Sequence, residues 1–471
     1  MNGEFAKCAC TACGSHIEFP AEGAGTTISC PHCLQSTLLS LFEETTPEAS
    51  DKLSTEEILA AFRGEILRTR VSIFYQLGLF LATGVMLLLP VIYVALIVLA
   101  GYGVYLYATH CHVLVESLRG GIRLYLFKWL LYLAPLFAGT VMVFFMVKPL
   151  FARRARRAEP LAMNPAVEKK LYAFIAKICE LIGSPMPSRI DLDCEFNASA
   201  GFRRGTLSFL GNDLVLTVGL PLAGALSMRE VAGIIAHEFG HFTQGVGMRL
   251  SYLVRLVNGW FARVIYQRDA WDAWLDSMAA ESESSWISLL IACAQFGVWC
   301  SRKILTLLML LGHSACCFLM RQMEYDADSY EIKLAGSAAF ESSSLRMSLL
   351  SEALVRAHRE MRTTWIAKKE LPEDFPEFLL HHEAGIPQQV RQKIENTVGF
   401  EKTGLFDTHP SPADRIRKAR QAGEAGIFDV DAPAQDLFAN FDVVSKQVTY
   451  LHYSEDLGIP LEISKLVPIR Q

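Results

Sequence analysis

Residues 71–110, VSIFYQLGLFLATGVMLLLPVIYVALIVLAGYGVYLYATH, contain no Asp, Glu, Lys or Arg. A helix needs only about 20 apolar residues to cross a bilayer, so this run largely decides what the chain can be. A second stretch, residues 124–147, carries only Lys128, close enough to one end to snorkel into the interface. A buried helical hairpin in a soluble protein is the alternative, and the length of both runs argues against it. Pro90 could divide the first run into two spans, but the flanking charge favours one. Arg63, Arg68 and Arg70 precede the first run; Lys148, Arg153, Arg154, Arg156 and Arg157 follow the second. The intervening loop offers mainly Arg119 and Arg123. The excess of cations on cytoplasmic flanks places both outer ends in the cytoplasm, which requires an even number of crossings. The expectation is a transmembrane region over 71–150, with one long, tilted or Pro-kinked span (71–108) and a second returning (124–148). A hydrophobic fraction of 51% and a mean hydropathy of +0.26 agree with an integral, multi-pass membrane protein. The net charge of −5 gives no reason to expect a nucleic-acid partner.

The chemistry is announced by AHEFGHFTQG, residues 236–245. His237 and His241 stand four apart, so on a helix both imidazoles can face one ion. Glu238, beside them, could take a proton from a water activated by that ion. Ser227 followed by Glu230 predicts a capping box at the start of this helix. Val231, Ile234, Ile235, Phe239 and Phe242 form an apolar arc that also contains Glu238. A carboxylate on a buried face is costly unless a cation is near, so two ordinary core histidines beside a solvated glutamate is the poorer reading. A zinc hydrolase of this kind needs a third protein ligand and one open position. RQMEYDADSYEIKLAG, residues 321–336, supplies candidates: Glu324, Asp328 and Glu331 recur on one helical face. By itself such a face is usually solvated; paired with the histidine helix, it is the natural source of the third ligand.

The run NASAGFRRGTLSFLGNDLVLTVGLPLAGALSMREVAGIIAHEFGH, then EYDAD, then THPSPADRI, resembles the membrane-bound zinc endopeptidases typified by HtpX and the CAAX prenyl proteases. The resemblance covers about residues 165–420. It implies that His237, His241 and Glu324 bind a catalytic Zn2+, that Glu238 is the general base, and that Asp328 steadies a liganding histidine from behind. His409, in a His-Pro turn, is implied to lie near the active site, where it could donate to the oxyanion; a structural histidine is the alternative. The implied fold is mainly α with a small β-sheet, a zincin-type metalloprotease domain over 151–425. EFNASAG and DLVLTVG read as short strands ahead of the catalytic helix, along which an extended substrate could lie. The implied partners are polypeptides, membrane or misfolded proteins in particular, and the lipid bilayer. A bacterial-type inner membrane, with the catalytic domain cytoplasmic, is the implied location. A CAAX-type processing role needs more spans than this sequence offers.

Between the two metal motifs lies a second apolar region, 286–320, interrupted by Ser301, Arg302 and Lys303. Each half is short for a crossing and central cations are expensive in a bilayer, so the expectation is a buried or membrane-lying hairpin in which His313 is packed. At the N-terminus, no apolar signal peptide opens the chain. Cys10-x2-Cys13, sixteen residues, then Cys30-x2-Cys33 has the spacing of a four-cysteine zinc ribbon, two knuckles joined by a β-hairpin, holding a structural Zn2+ over residues 1–42. Cys8 is a spare ligand, His16 and His32 weaker substitutes, and reduced thiolates suit the cytosol. Residues 43–70 read as an acidic linker with a juxtamembrane helix. Residues 426–471 read as a C-terminal extension without assignable chemistry. Two functions follow: an integral membrane zinc metalloendopeptidase, or a non-catalytic membrane scaffold using the ribbon to bind protein or RNA.

Overall fold

The computed structural model describes residues 5–10, 16–20, 23, 25–31, 36–39, 52–66, 73–113, 122–151, 160–202, 213–243, 246–267, 270–281 and 285–469. At the N-terminus, β1 (Phe5–Ala9) pairs antiparallel with β2 (His16–Pro20) and β3 (Thr27–Ser29) with β4 (Ser36–Leu38). Each Cys-x2-Cys therefore falls, by sequence position, between the two strands of its own hairpin. Cys10 and Cys30 are buried with Cys8, Ile17, Phe19 and Leu39, and Cys10 Sγ lies 3.0 Å from Thr37 Oγ1. Cys13 and Cys33 lie outside the described residues, as do His32 and residues 43–51 and 67–70 of the linker. A short helix, α1 (Thr55–Ala60), starts at a Ser54/Glu57 capping box.

The first apolar run is one helix, α2 (Ile73–His110), continuous through Pro90. The second is α3 (Ile122–Val147). The domain that follows begins with β5 (Leu161–Ala162) and α4 (Lys169–Ile182), whose Leu171, Phe174, Ile175, Ile178 and Ile182 form a buried stripe at helical spacing. Strands β6 (Arg189–Asp193), β7 (Ala198–Phe202) and β8 (Leu214–Gly219) complete a sheet of order β5-β6-β8-β7. β6 and β8 are parallel, while β7 is antiparallel to β8 and forms an edge. The short α5 (Leu220–Ala225) leads into α6 (Met228–Gly240), which starts at the capping box expected from Ser227 and Glu230. α7 (Val246–Tyr266) then rises alongside α2, with Leu250 beside Thr83 and Trp260 beside Tyr93.

After α8 (Ala270–Glu281), the region expected to be a hairpin is instead a single 51-residue helix, α9 (Ser285–Ala335). No Gly or Pro punctuates Ser301-Arg302-Lys303, so nothing local breaks the helix. The polar groups are accommodated in place: Ser301 Oγ is 2.9 Å from Tyr93 Oη, and Lys303 lies over the Trp299 ring. At about 1.5 Å per residue, α9 is roughly 77 Å long, enough to join an apolar bundle to the metal motif. Its apolar half packs with α2, α3 and α7 around Met86, Tyr93, Val254, Phe261 and Leu305. Among the described residues, three helices are long and apolar enough to cross a membrane: Tyr75–His110, Tyr125–Phe151 and Ile291–Ala335.

The chain continues through α10 (Ser337–Lys368), β9 (Glu370–Pro372), α11 (Phe375–Ala384), α12 (Gln388–Phe400), α13 (Pro412–Ala422) and α14 (Phe441–Leu451) to β10 (Lys465–Val467), parallel to β9. The boundary expected at 425 does not separate an extension. Phe428, Leu437, Phe438, Val448 and Tyr453 are buried in the main core with α4, the sheet and α6. Phe428 stacks on Phe62, with ring centroids 4.2 Å apart. This segment also braces both metal-motif helices. Ala432 O and Val430 O accept from Met228 N and Arg229 N, two first-turn amides of α6, while Leu334 O at the end of α9 accepts from Ile427 N.

Candidate metal centre

Two helices make the site, and glycines set how closely they approach. A Cβ at Gly233 would stand 2.9 Å from Ala335 Cβ, and one at Gly240 would stand 3.0 Å from the Tyr330 ring. Both glycines lie on the α6 face that meets α9, one on either side of His237. Their absent side chains let His237 reach the acidic face of α9.

His237, the adjoining His241 at the C-terminal cap of α6, and Glu324 of α9 bring one donor atom each within 4.8 Å of one another, and all three are buried. His237 Nε2 is 3.5 Å from Glu324 Oε2, and His241 Nε2 is 3.8 Å from Glu324 Oε1. The imidazole rings stand nearly perpendicular, 5.0 Å apart. Two imidazole nitrogens and a carboxylate oxygen form a three-ligand set that suits catalytic zinc. Glu238, Glu324, Asp328 and Glu331 surround the histidines, with Arg415 paired to Asp328 and Arg255 a further positive charge close by.

Behind the donors, Asp328 Oδ1 lies 3.0 Å from His237 Nδ1, the nitrogen facing away from Glu324. Arg415, from α13, grips the same carboxylate on two sides: Nη2 to Oδ1 at 2.5 Å and Nε to Oδ2 at 2.9 Å. Its guanidinium also sits over the Phe340 ring. Glu331 Oε2 is 3.7 Å from His237 Nδ1, and Ser343 donates to Glu331 at 3.4 Å. Burial disfavours charge on His237, but hydrogen bonds to Asp328 and Glu324 outweigh it and push its pKa up to about 10. Burial, followed by repulsion from His237 and Arg255, drives His241 down to about 3. Glu238 is raised above the ordinary carboxylate range by burial, opposed by the nearby positive charge of His237 and Arg255 and by a hydrogen bond from the Ala200 amide of edge strand β7.

His409 comes to the same place: its Nδ1 is 3.3 Å from Glu324 Oε2, and its side chain is 66% exposed. The structure therefore gathers His237, Glu238, His241, Glu324, Asp328 and His409 into one cluster. It places the buried Cys10 and Cys30 in a separate unit at the N-terminus. Arg415 lies in the THPSPADRI run, where nothing in the sequence gives it a role. The contact with Asp328 joins positions 87 residues apart, and no local spacing announces it. The Ala200 amide was equally illegible, since a backbone donor has no residue signature.

With this geometry in place, comparison with known proteins is decisive. Residues 165–422 match the model of peptidase family M48. The chain belongs to this family. The protease HtpX of Acinetobacter baylyi is 24% identical over 269 residues, covering 56% of this chain and 74% of that protein. The HtpX of Stutzerimonas stutzeri is 26% identical over 293 residues, covering 61% and 84%. No solved structure matches. M48 peptidases are zinc-dependent, and the donor set described here fits that ion. Membership of M48 and three apolar helices of spanning length make this chain a membrane metalloprotease.

Proposed function

We propose that the chain is a zinc-dependent endopeptidase in which His237, His241 and Glu324 hold the ion and Glu238 is the general base. The observation that carries this reading is the meeting of three buried donors from two helices at a position flanked by Glu238. Bound zinc supplies Lewis acidity toward the scissile carbonyl and eases loss of a proton from water. Glu238 takes that proton and passes it to the departing amine; its burial keeps its basicity above that of a surface glutamate. Asp328, held by Arg415, orients His237 through Nδ1. His409 touches Glu324 through Nδ1, which leaves its other ring nitrogen as the donor to the oxyanion. The edge strand β7 gives an extended substrate a place to pair beside Glu238.

The substrates in this reading are membrane or misfolded polypeptides, as in membrane-protein quality control, and the catalytic domain faces the cytoplasm. α7 runs in the same direction as α2 and α9 in the opposite one, so the chain goes up with α7 and comes back with α9. Cys10, Cys13, Cys30 and Cys33 form a separate structural zinc site that presents a partner or substrate. The test is Glu238→Gln in purified protein. Zinc content should match wild type while casein cleavage is lost, and a zinc chelator should abolish cleavage by wild type. Undiminished cleavage by Glu238→Gln removes the assigned base, and zinc-free activity removes the enzyme class. A scaffold would cleave nothing in any form.

A further inference from the structure

The last residue of α12 and the loop to α13 carry three large apolar side chains into the open: Phe400 is 82% exposed, Leu405 74% and Phe406 56%. It does not lie beside the soluble core alone. Its backbone carbonyls are capped by side chains from the apolar half of α9. Arg321 Nη1 donates to Gly404 O at 3.3 Å, Leu405 O at 3.1 Å and Asp407 O at 2.9 Å. Cys317 Sγ reaches Leu405 O at 3.4 Å, and His313 Nε2 closes on Phe406 O. Four consecutive carbonyls are thereby satisfied, and the Gly404 amide is taken by the Asp407 carboxylate at 2.6 Å.

The depth of this loop follows from what α9 touches at the same level. Cys316 lies against Ala82 O, and Gly78 packs on Leu319. The loop is therefore level with about residues 78–82 of α2, inside the uncharged run that begins at residue 71. Phe318 and Leu311 are exposed on the same stretch of α9, and Leu77 and Leu81 are exposed at the level of residues 78–82 of α2. Irregular backbone survives at membrane depth only where its polar groups are satisfied by protein. An ionisable residue inside a span calls for a named partner. The capped carbonyls meet the first condition, and they supply the partner for His313.

We propose that residues 400–407 dip into the bilayer interface, with Phe400, Leu405 and Phe406 seated among lipid, and that this seat fixes the height of His409 over the metal centre. The inference rests on the reading of α2 and α9 as membrane helices. The apolar tip lies at the level of exposed apolar residues of those helices, so lipid is the occupant to which the surface is matched. His409 lies three residues beyond Phe406 and contacts Glu324, so the metal centre is held close to the membrane surface. Peptide bonds near that surface are then the ones within reach.

The test places photoactivatable benzoylphenylalanine in turn at positions 405, 406, 311 and 366 of the full chain, reconstituted in phosphatidylethanolamine–phosphatidylglycerol vesicles. Position 366, an exposed isoleucine near the end of α10, is the control outside the apolar bundle. Lipid adducts at 405 and 406 should come within about threefold of those at 311 and exceed those at 366 by about tenfold or more. Adducts at 311 with only background at 405 and 406 overturn the loop's seat while leaving the membrane reading intact. Background at 311 as well overturns the membrane reading on which the loop depends.

Discussion

Replacing Arg415 by Met and Asp328 by Asn should damage the site in opposite ways. The Asp328 carboxylate is buried, faces His237 Nδ1 at 3.0 Å, and is gripped by Arg415 at 2.5 and 2.9 Å. Arg415→Met keeps much of the side chain's length against Phe340 but leaves that carboxylate with His237 as its main remaining partner. Removing one partner of a buried pair costs about 3–5 kcal/mol. Without zinc, Arg415→Met should therefore melt well below wild type. With zinc the gap should narrow, because the ion replaces part of the missing positive charge. Asp328→Asn leaves Arg415, whose side chain is 27% exposed and can turn to water. Its stability loss should be smaller, about 1–3 kcal/mol. It removes the anion that makes His237 a strong ligand, however, and losing such an outer partner weakens metal binding by about 10–100-fold. Combining the two should cost less than the sum of the single changes, with a coupling of about 1–3 kcal/mol. The assays are thermal melting in detergent with and without zinc, and zinc titration of metal-free protein against a chromophoric chelator. On the proposal that the N-terminal cysteines hold a zinc of their own, the same titration of Glu324→Ala protein isolates the step that belongs to the two-helix centre. An Arg415→Met protein that melts like wild type without zinc, or an Asp328→Asn protein with unchanged zinc affinity, refutes the reasoning.

Other outcomes follow from the same contacts. Gly233→Ala gains helix propensity but forces a methyl to within 2.9 Å of Ala335 Cβ; the net loss should be about 1–2 kcal/mol by denaturant melting, with weaker zinc binding as α6 and α9 separate. Phe428→Ala empties a fully buried position stacked on Phe62 and near Phe174, and should cost about 3–5 kcal/mol; a stable, zinc-replete variant would show that the tail does not brace the site. Asp193 is pushed up to about 6 by burial, against a hydrogen bond from Glu195 N and with repulsion from Glu195, Asp456 and Asp191. The folded chain then holds this proton where the unfolded chain has lost it, so stability should fall as pH rises from about 4 to about 6. After allowance for partial exposure, Asp193→Asn should stabilise by on the order of 1 kcal/mol at pH 7 and flatten that slope.

What the sequence revealed and what it hid divide along physical lines. The cluster of His237, His241 and Glu324 was legible because helical spacing alone puts the two histidines on one side, and because Glu324 begins an acidic face with the same period. The start of α6 was legible in Ser227 and Glu230. The long helix α9 was misread as a hairpin because Arg302 and Lys303 were weighed for their cost in lipid. No residue at Ser301-Arg302-Lys303 itself breaks a helix, and Ser301 and Lys303 find partners in Tyr93 and Trp299. Residues 426–471 gave no period to read; their importance lies in a few buried aromatic residues and in carbonyls that satisfy the first turn of α6. The Arg415–Asp328 contact and the loop carbonyls capped by Arg321 are likewise long-range pairings without a local signature.

The central claim, that two helices hold a catalytic zinc between them, is tested most directly by anomalous diffraction at the zinc edge from crystals of Glu238→Gln protein, which keeps the ligands and cannot digest itself. A peak should lie about 2.0–2.2 Å from the nearest donors of His237, His241 and Glu324. A zinc peak only at the N-terminal cysteines, in protein saturated with the metal, would contradict it.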